Sequence, residues 1–298
     1  MTAGVLLTAF GTPDGVDDVP RFLASMGRPS SGPAADALKA RYAAVGGRTP
    51  FLDITARQAA ALAQQLGPDF RVEVGFRHCA PSIAEAAQAL VDGGVERGVV
   101  LPLAAQASGK SVGSYHAAAR EALAKMPAAP PFGFVSGFAD HPLLLEAWAE
   151  RVREGIAALP AEARDASTVL FTAHSLPLAV LREGDPYERE VRATCEGVAR
   201  RAGLRDWVQC WQSAAGKEWL GPDIGVALED LAKRGLRGVA VAPVGFVSDH
   251  LETLYDLDLD ARRRAEGLGL GWHRCPSLND DPRFVAALAD VARRHLPG

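Results

Sequence analysis

The sequence predicts an α/β protein built as two parallel-sheet lobes, and three observations carry that reading. Strand-length β-branched runs alternate with Ala- and Leu-rich helical stretches along the chain, the order that yields parallel sheets covered by helices. The pattern recurs: VERGVVLPLAAQASGKSVGSY (95–115) lies over GLRGVAVAPVGFVSDHLETLY (235–255) at a constant offset of 140 residues. Arg97-Gly98-Val99 meets Arg237-Gly238-Val239, Ser108 meets Ser248 and Tyr115 meets Tyr255, while LLTAFGTP (6–13) resembles LFTAHSLP (170–177). Finally, 298 residues suffice for two domains. Two similar half-chains predict lobes facing each other across a cleft, with ligands beyond the carboxyl ends of the strands.

In chain order the predicted strands are GVLLTAF (4–10), RVEVGFR (71–77), GVVLPLA (98–104), FGFVSGF (132–138), STVLFTAH (167–174), WVQCWQS (207–213), RGVAVAPV (237–244) and LGWHRCP (270–276). Each is a short apolar run bounded by turn residues. Helices are predicted over 36–45, 54–66, 82–93, 113–126, 142–159, 187–203 and 224–235, where apolar residues recur at helical spacing. The polar, Pro-containing LPAEARDA (159–166) sets the expected boundary, with lobes at 1–160 and 161–298. A last helix over 281–296 can pack back on the first lobe.

The chain is 48% hydrophobic and 23% charged, with a net charge of -4. That is an ordinary soluble composition; it argues against a nucleic-acid surface and against strong attraction to anionic lipid. MTAGVLLTAFGTP has no basic n-region, and no apolar run reaches the roughly 20 residues of a membrane span. Cys79, Cys195, Cys210 and Cys275 are scattered without a CxxC pair. They read as reduced core thiols of a cytoplasmic protein and give no support for an iron–sulfur cluster.

The polar stretch VSDHLETLYDLDLD (247–260) directly follows an apolar strand. Against the first half-chain, Phe10, Lys110 and Val112 are replaced by His174, His250 and Glu252. His174, at a strand end, is either satisfied by backbone or serves as metal ligand and proton acceptor. Glu252, Asp256 and Asp260 recur every four residues, a row that drifts about 40° per step on an α-helix and aligns better through a π-bulge. Leu251, Leu254, Tyr255 and Leu257 pack that segment. The acids are then either a solvated face or a path for a cation. With His174 and Glu252 the set is mixed N/O and open, too small for a closed structural zinc site. GxGxxG and Walker patterns are absent, and AHSLP lacks the glycines of a nucleophile elbow, which leaves Ser175 a poor nucleophile.

FTAHSLP (171–177) and PVGFVSDHLETLYDLD (243–258) resemble the histidine and glutamate motifs of the ferrochelatases, enzymes that insert ferrous iron into a porphyrin. WQSAAGKEWLGPD (211–223), LLTAFGTP (6–13), RYAAVGGRTP (41–50), GFRHCAPSI (75–83) and Ser114-Tyr115 fit the same family. The resemblance implies two Rossmann-like lobes with the porphyrin in the cleft between them. It implies His174 and Glu252 at the iron, as catalytic and metal-contacting residues. Asp256 and Asp260, with Arg41, would form an outer cation site or route, where Mg2+ could bind. Phe10, Arg28, Arg41, Tyr42, Thr49, His78 and Tyr115 would bind the porphyrin. Fe2+ is expected as substrate with no required cofactor, in a monomer that binds no nucleic acid and is not an integral membrane protein.

Two departures matter. Relatives that use coproporphyrin III often carry tyrosine where this chain has Phe10, and ASMGRPSS (24–31) is shorter and less basic than their loop. The expected product is nonetheless iron–coproporphyrin III. Protoporphyrin IX is the alternative substrate; a sirohydrochlorin chelatase and a non-catalytic haem or metal carrier are the alternative functions.

Overall fold

The computed structural model describes residues 2–298. All eight expected strands form. The first sheet holds β1 (Ala3–Ala9), β2 (Phe70–Phe76), β3 (Arg97–Pro102) and β4 (Phe132–Phe134), in the order β2-β1-β3-β4. The second holds β5 (Ser167–His174), β6 (Trp207–Gln212), β7 (Gly238–Ala242) and β8 (Gly271–Arg274), in the order β6-β5-β7-β8. Every neighbouring pair is parallel. The sequence repeat is thus a repeat of topology, with β3 and β7 in equivalent places.

The helices are α1 (Val19–Ser25), α2 (Pro33–Ala44), α3 (Phe51–Leu66), α4 (Ile83–Asp92), α5 (Val112–Ala124), α6 (Pro142–Ala158), α7 (Ala161–Arg164), α8 (Leu178–Arg182), α9 (Tyr187–Ala202), α10 (Ile224–Lys233), α11 (Arg262–Gly267) and α12 (Pro282–Arg294). A π-helix over Glu252–Ala261 runs directly into α11. α5 begins at Val112 and the π-helix at Glu252, so the offset of 140 also relates two helix starts.

The chain divides into a unit of Met1–Phe138 with Asn279–Gly298 and a unit of Ala139–Leu278. This corrects the boundary expected near residue 160. α6 belongs to the second unit because it packs on α9, β7 and β8. Two glycines allow that close approach: a Cβ on Gly155 would meet Cys275 Sγ at 2.4 Å, and one on Gly197 would meet Leu145 Cδ1 at 2.7 Å. Trp148 of α6 is fully buried there.

α12 packs on α3 and β3 of the first unit. Arg57 bonds Asp280, Gln58 Nε2 donates to the Asn279 carbonyl, and Arg97 Nη1 donates to the Pro297 carbonyl. In that unit α4 and α5 bury Ile83, Leu90 and Ala119 against Leu6 and Val100. In the second, α10, the π-helix and α11 bury Leu228, Leu257 and Ala265 against Leu170 and Val241. Removing such apolar area from water supplies the main drive for each core.

Candidate active site

In the second unit, β5 ends at His174 while the β7 connection leads into the π-helix at Glu252. Gly245 lets that connection cross the end of β5, since a Cβ there would stand 2.5 Å from the Ala173 Cβ. Its N–H donates to the Thr172 carbonyl. The crossing brings two distant motifs together: His174 Nε2 lies 3.6 Å from Glu252 Oε1. Both side chains are 31% exposed, reachable but held in place. His174 Nδ1 contacts the Ser175 carbonyl. A carbonyl only accepts, so Nδ1 carries the proton and Nε2 presents its lone pair on the Glu252 side.

A second imidazole flanks the same carboxylate. His250 Nε2 stands 3.9 Å from Glu252 Oε2. His250 Nδ1 accepts the Thr253 N–H at 3.3 Å, and Thr253 Oγ1 accepts the His250 N–H at 2.9 Å. This reciprocal cap starts the helix and leaves the His250 ring proton on Nε2, facing the carboxylate. Burial holds the His250 imidazole below its ordinary range, against the opposing pull of Glu252. Glu252 therefore stands between one ring that accepts and one that donates.

Gln212 fixes the turn that carries Glu252. Its Nε2 donates to the Glu252 carbonyl at 3.1 Å, and its Oε1 accepts from Thr172 Oγ1 at 3.1 Å. Ser213 Oγ donates to Asp256 Oδ2 at 2.5 Å. The π winding offsets the over-rotation of a four-residue step, so Asp256 follows Glu252 along the helix, with Asp260 exposed beyond it. Asp258 serves elsewhere: Arg274 grips it through Nε (2.6 Å) and Nη2 (2.9 Å) while Nη1 bonds Asp249 at 2.9 Å. Burial works against the Arg274 charge, but these carboxylates outweigh it and hold the guanidinium above its usual range. Tyr187 is buried beside Trp211; burial, and then the Glu252 charge, push its phenol up. Trp219 stands 6.3 Å from the His174 ring. Among the described residues no group of three or more His, Cys, Asp or Glu side chains is placed to hold a metal ion.

The first unit carries the residues expected at the porphyrin. Phe10 follows β1 and is 40% exposed. Its ring lies 4.6 Å from His78 and 6.2 Å from Phe22. Tyr42, on α2, is buried and shares a 2.5 Å hydrogen bond with Thr12. Arg41 beside it is half-buried, Arg28 is exposed, and Thr49 is buried, its Oγ1 without a hydrogen-bond partner among the described residues. Tyr115 is not with this group. It is 4% exposed in the core formed by Leu6, Ile83 and Val100, and burial pushes its phenol up. The resemblance had set Tyr115 at the porphyrin; the inward face of α5 withdraws its side chain.

Tyr187, Gln212, Ser213 and Arg274 were not among the expected site residues, and His250 stood out only as a polar replacement in the repeat. Gln212 had left a signal, an amide at the end of an apolar strand.

A family model described as Ferrochelatase matches residues 2–296. This chain belongs to the ferrochelatase family. It is 36% identical over 300 residues to a protein named Ferrochelatase from Deinococcus radiodurans, covering 98% of this chain and 95% of that one. It is 36% identical over 304 residues to the Coproporphyrin III ferrochelatase of Anoxybacillus flavithermus, covering 98% and 96%. In structure it resembles SirB from Bacillus subtilis, solved with Fe3+, with a TM-score of 0.64, 14% identity and coverage of 99% and 96%. At that identity the likeness concerns the fold alone. As a ferrochelatase the chain is an enzyme of haem biosynthesis that inserts Fe2+ into a porphyrin. No helix among the described residues is long and apolar enough to cross a membrane.

Proposed function

We propose that the porphyrin is coproporphyrin III, and that His174 and Glu252 form the pair that meets the metal and receives the pyrrole protons. The observation that carries the second part is the 3.6 Å approach of His174 Nε2 to Glu252 Oε1, with Nδ1 engaged by the Ser175 carbonyl. Insertion of Fe2+ releases two pyrrole protons. A lone pair and a carboxylate side by side give acceptors for both and a mixed N/O set for the incoming ion. His250 faces the other oxygen of that carboxylate from 3.9 Å, an electrostatic neighbour and not a hydrogen-bond partner.

Asp256 and Asp260 form the outer part of the same proposal. Two carboxylates with the Ser213 hydroxyl are oxygen donors of the kind a hard cation takes. Cytoplasmic residence is also part of it, since all four cysteines are free thiols.

Coproporphyrin III is supported by the relatives that carry it in their names over nearly their whole length. It bears four propionates against two in protoporphyrin IX and calls for more cationic partners. Arg28 and Lys110 are exposed cations, whereas Arg48 is engaged by Asp14 and Asp53. The test compares kcat/KM for both porphyrins at matched detergent and salt. We expect coproporphyrin III to be favoured by about tenfold or more, roughly 1.4 kcal/mol. A preference for protoporphyrin IX would overturn the substrate assignment and leave the family intact. Multiple turnovers would in themselves exclude a stoichiometric carrier.

A further inference from the structure

We propose that His78 is a ligand to the iron of the metalated porphyrin, binding it through Nε2. The inference rests on the reading of this chain as an enzyme that handles iron porphyrins, and it assigns His78 a role separate from the His174–Glu252 pair.

The tautomer is the first argument. Ser25 Oγ donates its one proton to a backbone carbonyl, the nearest being that of Phe22 at 2.7 Å, with that of His78 at 3.1 Å. Its oxygen lies 3.3 Å from His78 Nδ1. With the hydroxyl proton already used, Nδ1 is the donor. The ring is therefore anchored by Nδ1–H, and Nε2 holds the lone pair. The backbone of Ser25 also hydrogen-bonds the ring, so the anchor lies on the Ser25 side. An imidazole anchored through one nitrogen by a neighbouring oxygen is the arrangement by which proteins prepare the other for a metal.

The setting is the second. His78 is half-buried and lies 4.6 Å from the ring of Phe10, which is 40% exposed, and 6.2 Å from Phe22. Exposed aromatic surface of this kind suits a flat aromatic guest. Burial is the main influence holding the imidazole below its ordinary range, and the charges of Arg77 and Arg28 add to it. His78 is accordingly neutral near pH 7, as a metal ligand must be. Arg77 and Arg28 are both exposed and available to carboxylates. A neutral imidazole, an uncovered phenyl ring and two nearby cations together match one class of ligand, an iron tetrapyrrole bearing acidic side chains.

The experiment reads ligation directly. Wild type, His78→Ala and His174→Ala are each loaded with the iron complexes of coproporphyrin III and protoporphyrin IX. The iron–imidazole stretch of the ferrous complex is then recorded by resonance Raman, with and without 15N-histidine labelling. We expect a label-sensitive band in wild type that survives in His174→Ala, disappears in His78→Ala and returns there on adding imidazole. Affinity of His78→Ala for the iron porphyrin should fall by about tenfold, roughly 1.4 kcal/mol, with a smaller change for the metal-free ring. A wild type that binds an iron porphyrin without the band would overturn the proposal and leave the enzyme function standing. So would a band that depends on His174. Failure to bind either iron porphyrin would count against both the proposal and the reading beneath it.

Discussion

At the scale of single residues, the account turns on Glu252 and its two imidazoles. His174 Nε2 and His250 Nε2 approach different oxygens of that carboxylate, at 3.6 and 3.9 Å, and their tautomers are opposite because Nδ1 meets a carbonyl in one and an N–H in the other. The first ring can take a proton and the second cannot without becoming a cation in a buried place. His174→Ala should therefore lower kcat for iron insertion by about 10²–10⁴-fold, the usual loss on removing a proton-transfer group. Its melting temperature should stay close to wild type, because the ring is partly exposed and touches little core. Substantial activity in a folded His174→Ala protein would remove that residue from the chemistry. Asp256 lies one turn beyond Glu252 and is held by Ser213, so Asp256→Asn should raise the concentration of metal needed for half-maximal rate more than it lowers the rate at saturation. A saturating rate reduced as far as that of Glu252→Gln would contradict the division into inner and outer acids.

At the scale of elements, the π-helix owes its placement to contacts distant in sequence. Arg274 ties Asp258 within the helix to Asp249 before it, and Ser277 Oγ bonds the same Asp249 at 2.8 Å. The Arg274 side chain is 12% exposed and that of Asp249 16%, so loss of the cation leaves carboxylates poorly solvated. Arg274→Ala should cost about 3–5 kcal/mol, the range for breaking a buried pair. Arg234→Ala, at the exposed pair with Asp206, should cost about 0–1 kcal/mol. Urea melts of both variants provide the check, and equal losses would mean that the Arg274 network does not brace the helix. The acid spacing of Glu252, Asp256 and Asp260 made this helix visible in the sequence, as β-branched runs did the eight strands. The Arg274, Gln212 and Tyr187 contacts were not visible, because each joins residues many positions apart and only the folded chain makes them neighbours. α6 shows the same limit: its apolar periodicity marks a helix but not which sheet it packs on, which is why the division falls at Phe138 and not near residue 160.

At the scale of the whole molecule, titration joins stability to the site. Burial lowers the pKa of His78, His116, His250 and His273. The unfolded chain therefore binds protons at these positions first as pH falls, beginning near the ordinary histidine value of about 6.5. Their contribution is present above that pH and is lost as pH drops through the lower folded-state values. Stability should hold level from pH 8 to 7 and decline between about 6.5 and 5. His116, 7% exposed and packed on Phe134, should account for part of the slope, so His116→Gln should flatten it. Denaturant midpoints across that range that do not move, or that rise on acidification, would contradict the linkage. The central claim, that the fold sets His174 beside Glu252 to put ferrous iron into a porphyrin, is tested most directly by anaerobic turnover. Purified wild type and Glu252→Gln are given Fe2+ and coproporphyrin III, and the iron porphyrin is followed through many equivalents of enzyme. The account predicts sustained turnover by wild type and a loss of about 10²-fold or more in Glu252→Gln with porphyrin binding retained. Undiminished turnover by folded Glu252→Gln would contradict it.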